Sequence, residues 1–278
     1  MLTHAPPRRD TAARLAVDIR RRVVEMSGAP GGARLGGSLS VADLLAVLYG
    51  EVLRKPTGDA ASSGDRDYLI LGKGHASAAL YAALAATGVI PEAEPGTYRQ
   101  DGSRLAGHPL RRLPGVDFTA GGPGHGLSLG LGVALAGRRY GYDNRAFVVL
   151  GDGELQEGST WEAAMAAAHL GADNLVAVVD RNGWQGDRRT EDRVALEPLA
   201  DKWTGFGWDV LRIDGHDHGQ IRRALDGPVR PGRPTVVIAR TVAARGVPGL
   251  HDTRRGNSAV LDAEARRLAL AALAGERP

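Results

Sequence analysis

The stretch Ala146-Phe147-Val148-Val149-Leu150-Gly151-Asp152-Gly153-Glu154 decides the fold. Its first five residues are apolar and partly β-branched, which is typical of a strand buried on both faces of a parallel sheet. We therefore expect Gly151-Asp152-Gly153 at the carboxyl end of a strand. An alanine-rich helix at residues 161–170 and a second apolar run at residues 175–179 complete a strand–helix–strand unit.

Polar residues follow both of these strands. Parallel strands joined by a right-handed crossover place their carboxyl ends side by side, where ligands bind in α/β sheets. Asp152 and Asn182 are therefore expected to share one ion. A carboxylate, an amide oxygen and backbone carbonyls suit Mg²⁺ or Ca²⁺, especially when phosphate oxygens complete the shell. Gly-Asp-Gly alone would indicate only a turn; its pairing with Asn182 after the next strand indicates a site.

Composition bounds the class of protein. A chain of 278 residues can form one large α/β domain or two small ones. The absence of cysteine excludes disulfides, thiolate catalysis and zinc–sulfur sites. The net charge is +3 and arginine pairs are scattered along the chain, unlike the basic stripe of a nucleic-acid binder. With no apolar run of membrane-spanning length, we expect a cytoplasmic protein that binds neither nucleic acid nor membrane.

Helices and strands alternate from residue 68 to residue 239, which predicts a doubly wound, mainly parallel α/β sheet with helices on both faces. We expect a single domain over residues 1–278, with a flexible N-terminus at 1–10 and a C-terminal helix at 261–275. Residues 28–37 contain five glycines and are predicted to form a loop. Ser40 is predicted to cap the helix that follows.

The chain resembles the transketolase family from about residue 12 to residue 248. The Gly-Asp-Gly and the later Asn182 resemble the thiamin-diphosphate motif, and residues 151–170 resemble transketolases in particular. Four more segments resemble family signatures in the family's order: Leu35-Gly36-Gly37-Ser38-Leu39-Ser40, Ile70-Leu71-Gly72-Lys73-Gly74-His75, Gly107-His108-Pro109 and Pro114-Gly115-Val116. The resemblance implies the thiamin-diphosphate-binding fold of a diphosphate-binding (PP) domain.

The resemblance also implies roles for individual residues. His75 matches the histidine that approaches the cofactor diphosphate and the substrate, and His108 matches the one that reaches donor hydroxyls. Glu157 matches a glutamate at the subunit contact near the cofactor. Metal ligands carry over to Asp152, Asn182 and the carbonyl of Trp184. The remaining cofactor-binding positions are Gly121, Gly122, Pro123, Gly151, Gly153, Glu154 and, as a shifted replacement for a late histidine, His251.

Some residues depart from the family's pattern. Arg34 stands where members carry a histidine, and Pro123 and His125 replace an apolar residue and a glutamine in the loop that contacts the cofactor's rings. The late His-Gly is replaced by Arg255-Gly256. Because arginine suits bidentate contacts with carboxylate or phosphate, Arg34 favours an anionic donor or acceptor, and we count it among the candidate catalytic residues.

The length of the chain indicates that a second subunit is needed. The family's activating glutamate lies on a second, pyrimidine-binding domain, for which this chain has no room. The resemblance therefore implies a split enzyme, most simply α2β2, in which a second subunit supplies that glutamate. The implied reaction transfers a two-carbon ketol unit from a ketose sugar to an acceptor.

Three other functions remain open from the sequence. The two-carbon unit can instead pass to a lipoyl group or carrier-protein thiol, as in 2-oxo-acid dehydrogenases. A non-catalytic regulatory subunit would keep the fold without turnover. A dinucleotide-binding domain is disfavoured, because no Gly-x-Gly-x-x-Gly follows the first strand.

Overall fold

A computed structural model describes residues 11–29, 31–54, 66–227 and 230–275. Its central sheet has five parallel strands in the spatial order β1-β2-β3-β7-β6. The short strands β4 and β5 pair with each other as an antiparallel hairpin after β3. The strands are β1 Tyr68–Leu71, β2 Ala146–Gly151, β3 Leu175–Arg181, β4 Trp184–Gln185, β5 Arg188–Arg189, β6 Asp209–Asp214 and β7 Thr235–Arg240. The predicted flexible segment 1–10 lies outside the described residues.

The helices pack on the two faces of this sheet. The C-terminal helix predicted at 261–275 spans Ala263–Gly275. No helix in the described ranges is both long enough and apolar enough to cross a membrane. The α-helices are α1 Thr11–Met26, α2 Leu35–Ser40, α3 Ala42–Val47, α4 Ser77–Ala86, α5 Gly126–Tyr140, α6 Gly158–His169, α7 Thr190–Arg193, α8 Leu199–Gly205, α9 His218–Leu225, α10 Arg254–Ser258 and α11 Ala263–Gly275.

Strand β2 shows why the sheet is covered on both sides. Every residue of β2 is buried, and successive side chains point to opposite faces. Phe147 and Val149 join the core with α1, α3, α4 and α9. Val148 and Leu150 join a second core with α5, α6 and α8. The unbroken apolar run is therefore required by burial on both faces.

The direction of the crossovers explains the two helical layers. The chain passes from β2 through α6 to β3 and through α8 to β6 on one face, then returns from β6 through α9 to β7 on the other. A right-handed crossover that reverses direction along the sheet must place its helix on the opposite face. The predicted parallel α/β sheet with helices on both faces is confirmed.

The segment before α3 differs from the prediction. Residues 35–37 belong to the buried helix α2 rather than to a glycine-rich loop. Ser40 caps no helix; its Oγ donates to the carbonyl of Gly37 at 3.1 Å and to the Asp180 carboxylate at 2.7 Å. Burial against α1, α4 and α10 outweighs the low helix propensity of glycine here.

Candidate cofactor site

The carboxyl ends of β1, β2 and β3 meet around a cavity of about 330 Å³. Parallel pairing brings Leu71 beside Val149, and Gly151 beside Asp180, so the residues that follow each strand reach one edge. The loop before α5 and the hairpin after β3 close its sides. Its walls are formed by Arg34, Gly37, Gly72, Lys73, Gly74, His75, His108, Gly121, Pro123, Gly151, Asp152, Gly153, Glu154, Glu157, Asn182, Trp184, Gln185 and Gly186.

Asp152 follows β2 and is 1% exposed. Its Oδ1 accepts a hydrogen bond from the N–H of Gly153 at 2.8 Å, and its Oδ2 accepts from the N–H of Gly183 at 2.7 Å and from Arg181 at 3.2 Å. Burial, and then the nearby Asp180 carboxylate, raise the pKa of Asp152. A cation in the cavity would relieve both effects.

Glu154 forms a second buried carboxylate, 6% exposed. Its oxygens accept from the N–H of Gly124 at 3.0 Å and from the N–H of Gly151 at 3.1 Å, which ties the loop before α5 to the end of β2. Burial raises its pKa to about 7, although these hydrogen bonds favour the ionised form. This side chain therefore holds the glycine-rich loop at the cavity wall.

A buried ion pair lies beneath the cavity. Lys73 and Asp180 form a salt bridge with side chains 1% and 0% exposed. The Asp180 carboxylate also accepts hydrogen bonds from Ser40, Thr241 and Asn182. Burial alone would raise the pKa of Asp180, but the Lys73 ammonium and these donors lower it. Asp180 thus remains ionised and joins α2, β1, β3 and the segment after β7.

Asn182 is oriented by this network. Its Nδ2 donates a hydrogen bond to Asp180 at 2.7 Å, which fixes the orientation of the amide. Its Oδ1 accepts one hydrogen bond, from the N–H of Trp184 at 2.9 Å. A carbonyl-type oxygen has a second lone pair. The amide can therefore present that lone pair to a cation in the cavity.

His75 and His108 also line the cavity. His75 begins the turn before α4, and its ring is accessible within the cavity. The protein packed around it, and then the positive charges of Lys73 and Arg34, lower the pKa of His75. Its imidazole is therefore neutral near pH 7 and can donate one hydrogen bond and accept another. The carbonyl of His108 is fixed by a 3.0 Å hydrogen bond from the Tyr81 hydroxyl.

Two exposed charged residues stand on the cavity wall. Arg34 precedes α2 and Glu157 precedes α6, and both are exposed. Within the part of the chain that the structure describes, neither side chain has a hydrogen-bond or ion-pair partner. Both charges are therefore available to a substrate or a neighbouring chain.

Glycines allow the turn at His75 and the loop before α5 to pack closely against their neighbours. A Cβ at position 74 would lie 2.3 Å from the carbonyl oxygen of Ala120, so the turn at His75 can touch residues 120–124 only with glycine there. Gly124 has φ +84°, and a Cβ there would lie 2.4 Å from the Ser159 hydroxyl. Glycine at these two positions therefore permits close packing of the turn before α4 and of the loop before α5 against their neighbours.

Most of the predicted site residues share this cavity. Gly122 and His251 do not: neither lies in its walls. His251 is instead next to Asp252, whose carboxylate accepts from Trp184 Nε1 at 2.8 Å and from Arg189 at 2.9 Å. The sequence reasoning missed Lys73 as a site residue, although its place directly after β1 was an available signal.

The donors present at this edge fit a hard divalent cation. Asp152 and Asn182 supply the carboxylate and amide oxygens that Mg²⁺ and Ca²⁺ prefer, and Trp184 adds a peptide carbonyl in the same wall. The described residues contain no cluster of three or more His, Asp or Glu side chains able to hold a metal. A cation here would therefore depend on backbone carbonyls and on the phosphate oxygens of a cofactor.

This fold and this edge define a class: an α/β cofactor-binding domain that holds a phosphate-bearing group at the carboxyl ends of its strands. Residues 10–274 match the family model described as transketolase, thiamine diphosphate binding domain. The chain belongs to the transketolase family.

Sequence relatives are similar over most of their length. The chain is 37% identical over 246 residues to one subunit of the apulose-4-phosphate transketolase of Phocaeicola vulgatus, covering 88% of this chain and 87% of the relative. It is 40% identical over 232 residues to 6-deoxy-6-sulfo-D-fructose transketolase subunit SqwG of a Clostridium species, covering 82% and 83%.

A solved structure agrees with the fold. The crystal structure of transketolase from Campylobacter jejuni superposes with a TM-score of 0.84 at 26% identity, covering 95% of this chain and 42% of that chain. The chain thus spans less than half of that transketolase.

Proposed function

We propose that this chain is the diphosphate-binding subunit of a two-chain transketolase that moves a two-carbon ketol unit from a ketose donor to an acceptor. One observation carries the proposal: Asp152, Asn182, His75 and His108 meet in one cavity at the edge of the sheet. Two relatives that are similar over most of their length are named as transketolase subunits. That supports a partner chain, which we propose carries the pyrimidine-binding domain and its glutamate in an α2β2 assembly.

We assign thiamin diphosphate and Mg²⁺ to this cavity. Asp152, Asn182 and the Trp184 carbonyl would hold the metal, and Gly121, Gly153 and His75 would contact the cofactor. When bound, thiamin diphosphate supplies the carbanion chemistry that breaks and forms the carbon–carbon bonds. The chain's own contribution is to fix the diphosphate, to neutralise its charge and to orient the donor.

The neutral ring of His75 suits a hydrogen bond rather than charge pairing. His108 lies near the same wall, since a Cβ at position 74 would lie 3.2 Å from its Cδ2. Both rings can bind donor hydroxyl groups and fix the donor's orientation. Glu157 is exposed at the rim, where it can hydrogen-bond with the partner subunit.

Arg34 favours a donor that carries an anionic group. It is the cavity-wall cation without a partner among the described residues, whereas Lys73 is held by Asp180. The two relatives are named for apulose-4-phosphate and for a sulfo sugar, both of which carry an anionic group. Because such charged sugars are retained inside cells, we propose a cytoplasmic location.

Reconstitution with the partner tests the function. The chain is mixed with a candidate partner protein that carries a pyrimidine-binding domain, and aldose release from ketose phosphates is followed with thiamin diphosphate and Mg²⁺. We expect release only from the mixture, with the two chains sedimenting as an α2β2 particle. Full ketol transfer by this chain alone would exclude the split site. A thioester on a lipoyl or carrier thiol instead of an aldose would move the enzyme to the 2-oxo-acid dehydrogenase type.

A further inference from the structure

A second cavity, of about 580 Å³, lies at the carboxyl ends of β6 and β7. None of its wall residues belongs to the walls of the cofactor cavity. Leu199, Ala200 and Ile238 give it an apolar lining beside α8. Its volume is in the range of small-molecule sites, and its place at the strand ends is where α/β sheets bind ligands.

Three arginines stand around this lining: Arg212, Arg240 and Arg245. They come from β6, from β7 and from the segment after β7, and the parallel register places Arg212 beside Ile238 and Asp214 beside Arg240. In the described part of the chain, none of these three guanidinium groups has a hydrogen-bond or ion-pair partner. Guanidinium groups that line one cavity and are not bound to carboxylates can bind an anion.

The acidic residues in the same walls do not cancel this charge. The Glu197 carboxylate is already bound by Arg181 at 3.2 Å and by the N–H of Leu199 at 2.9 Å. Asp214 accepts from the N–H of His216 at 2.9 Å and is the remaining carboxylate in the walls. Among the described residues, the cavity walls therefore carry three arginines and one carboxylate, Asp214, that is not bound to a cation. The net charge of the walls is positive.

We propose that this cavity binds a small organic anion, with its phosphate or carboxylate group on Arg212, Arg240 and Arg245 and its apolar body on Leu199 and Ile238. The site is separate from the catalytic cavity and does not depend on the ketol-transfer assignment. The ligand class follows from the two halves of the site. The guanidinium groups would bind the anionic end of the ligand, and the aliphatic lining would contact its apolar body.

Phenyl phosphate is a suitable probe because it combines both chemical features. Binding is measured by titration calorimetry on the isolated chain and again after the partner chain is added, each time with thiamin diphosphate and Mg²⁺ in excess. We expect phenyl phosphate to bind more tightly than inorganic phosphate. Arg240→Gln and Arg245→Gln are each expected to weaken it about tenfold, since a hydrogen bond to a charged group is worth about one factor of ten or more. The matched control Arg139→Gln changes an exposed arginine on α5 and should leave binding unchanged.

Three outcomes would overturn the assignment. Equal affinity of wild type and both variants would show that the arginines hold no ligand. Loss of binding in Arg34→Gln but not in Arg240→Gln would place the probe in the cofactor cavity. Binding to the isolated chain that disappears when the partner chain is added would show that the partner covers the cavity. Citrate, tested alongside, separates carboxylate from phosphate ligands.

Discussion

Replacement of Lys73 by methionine tests the buried ion pair beneath the cofactor cavity. The side chains of Lys73 and Asp180 are 1% and 0% exposed, so removal of the ammonium leaves a carboxylate without its counter-charge in a dry site. Breaking a buried pair in this way costs about 3–5 kcal/mol. We expect Lys73→Met to lower the free energy of unfolding by that amount at pH 7, measured by urea denaturation.

The pH dependence separates charge loss from a packing defect. In the wild type the pKa of Asp180 is lowered, so its contribution is present at pH 7 and is lost only as pH falls through that lowered pKa, below 3.8. Without Lys73, burial raises this pKa. The deficit of the variant should therefore shrink as the pH falls from 7 towards 4, because the carboxyl group then takes up a proton.

The double variant Lys73→Met/Asp180→Asn completes the cycle. Because it removes both charges, it should recover much of the lost stability. The exposed pair Arg267–Glu264 is the control, and Arg267→Met should not move the urea midpoint. A loss below about 1 kcal/mol in Lys73→Met, or a deficit that is the same at pH 7 and pH 4, would show that Lys73 does not stabilise a buried charge on Asp180.

Three further predictions concern the cavity walls. The pKa of Glu154 is raised from 4.5 to about 7, so the free energy of unfolding should fall by about 1.4 kcal/mol per pH unit as the pH rises between these values. Urea unfolding of Glu154→Gln should lack this part of the slope. Equal slopes in the wild type and the variant would contradict the raised pKa. Gly74→Ala should lower the free energy of unfolding by about 1–3 kcal/mol, because the added Cβ meets the Ala120 carbonyl oxygen. The control Gly132→Ala has open space on α5 and should stabilise the protein by about 0.5–1 kcal/mol. If thermal unfolding ranks the two variants in the opposite order, the close contact at Gly74 is contradicted. Arg34→Ala should raise KM for a phosphorylated ketose about tenfold but not for an uncharged ketose, and unchanged kinetics with both would remove Arg34 from donor binding.

The strand–helix–strand unit and the shared edge could be predicted because they depend on local patterns. An unbroken apolar run such as that at residues 146–150 is possible only where both faces of a strand are covered. Polar residues that follow two such strands lie near each other when the strands are neighbours, as β2 and β3 are. Asp152 and Asn182 meet these conditions in the sequence alone.

Other features depend on contacts that local patterns do not determine. The helix α2 forms at a glycine-rich segment because its burial between α1 and α10 outweighs propensity. The pairing of Lys73 with Asp180 requires β1 and β3 to flank β2, which follows from strand order. The same holds for the second cavity: Arg212 and Arg240 line one cavity because β7 inserts between β3 and β6.

The Mg²⁺ dependence of pyrophosphate binding tests whether Asp152 and its neighbours hold a metal and a diphosphate. Pyrophosphate is titrated into the two-chain complex with Mg²⁺ and with EDTA, for the wild type, for Asp152→Asn and for the control Asp187→Asn, which changes a half-exposed carboxylate. We expect Mg²⁺ to strengthen binding in the wild type and in Asp187→Asn, and Asp152→Asn to lose at least about tenfold of that affinity. Pyrophosphate binding that is equally tight in Asp152→Asn, with or without Mg²⁺, would contradict the assignment.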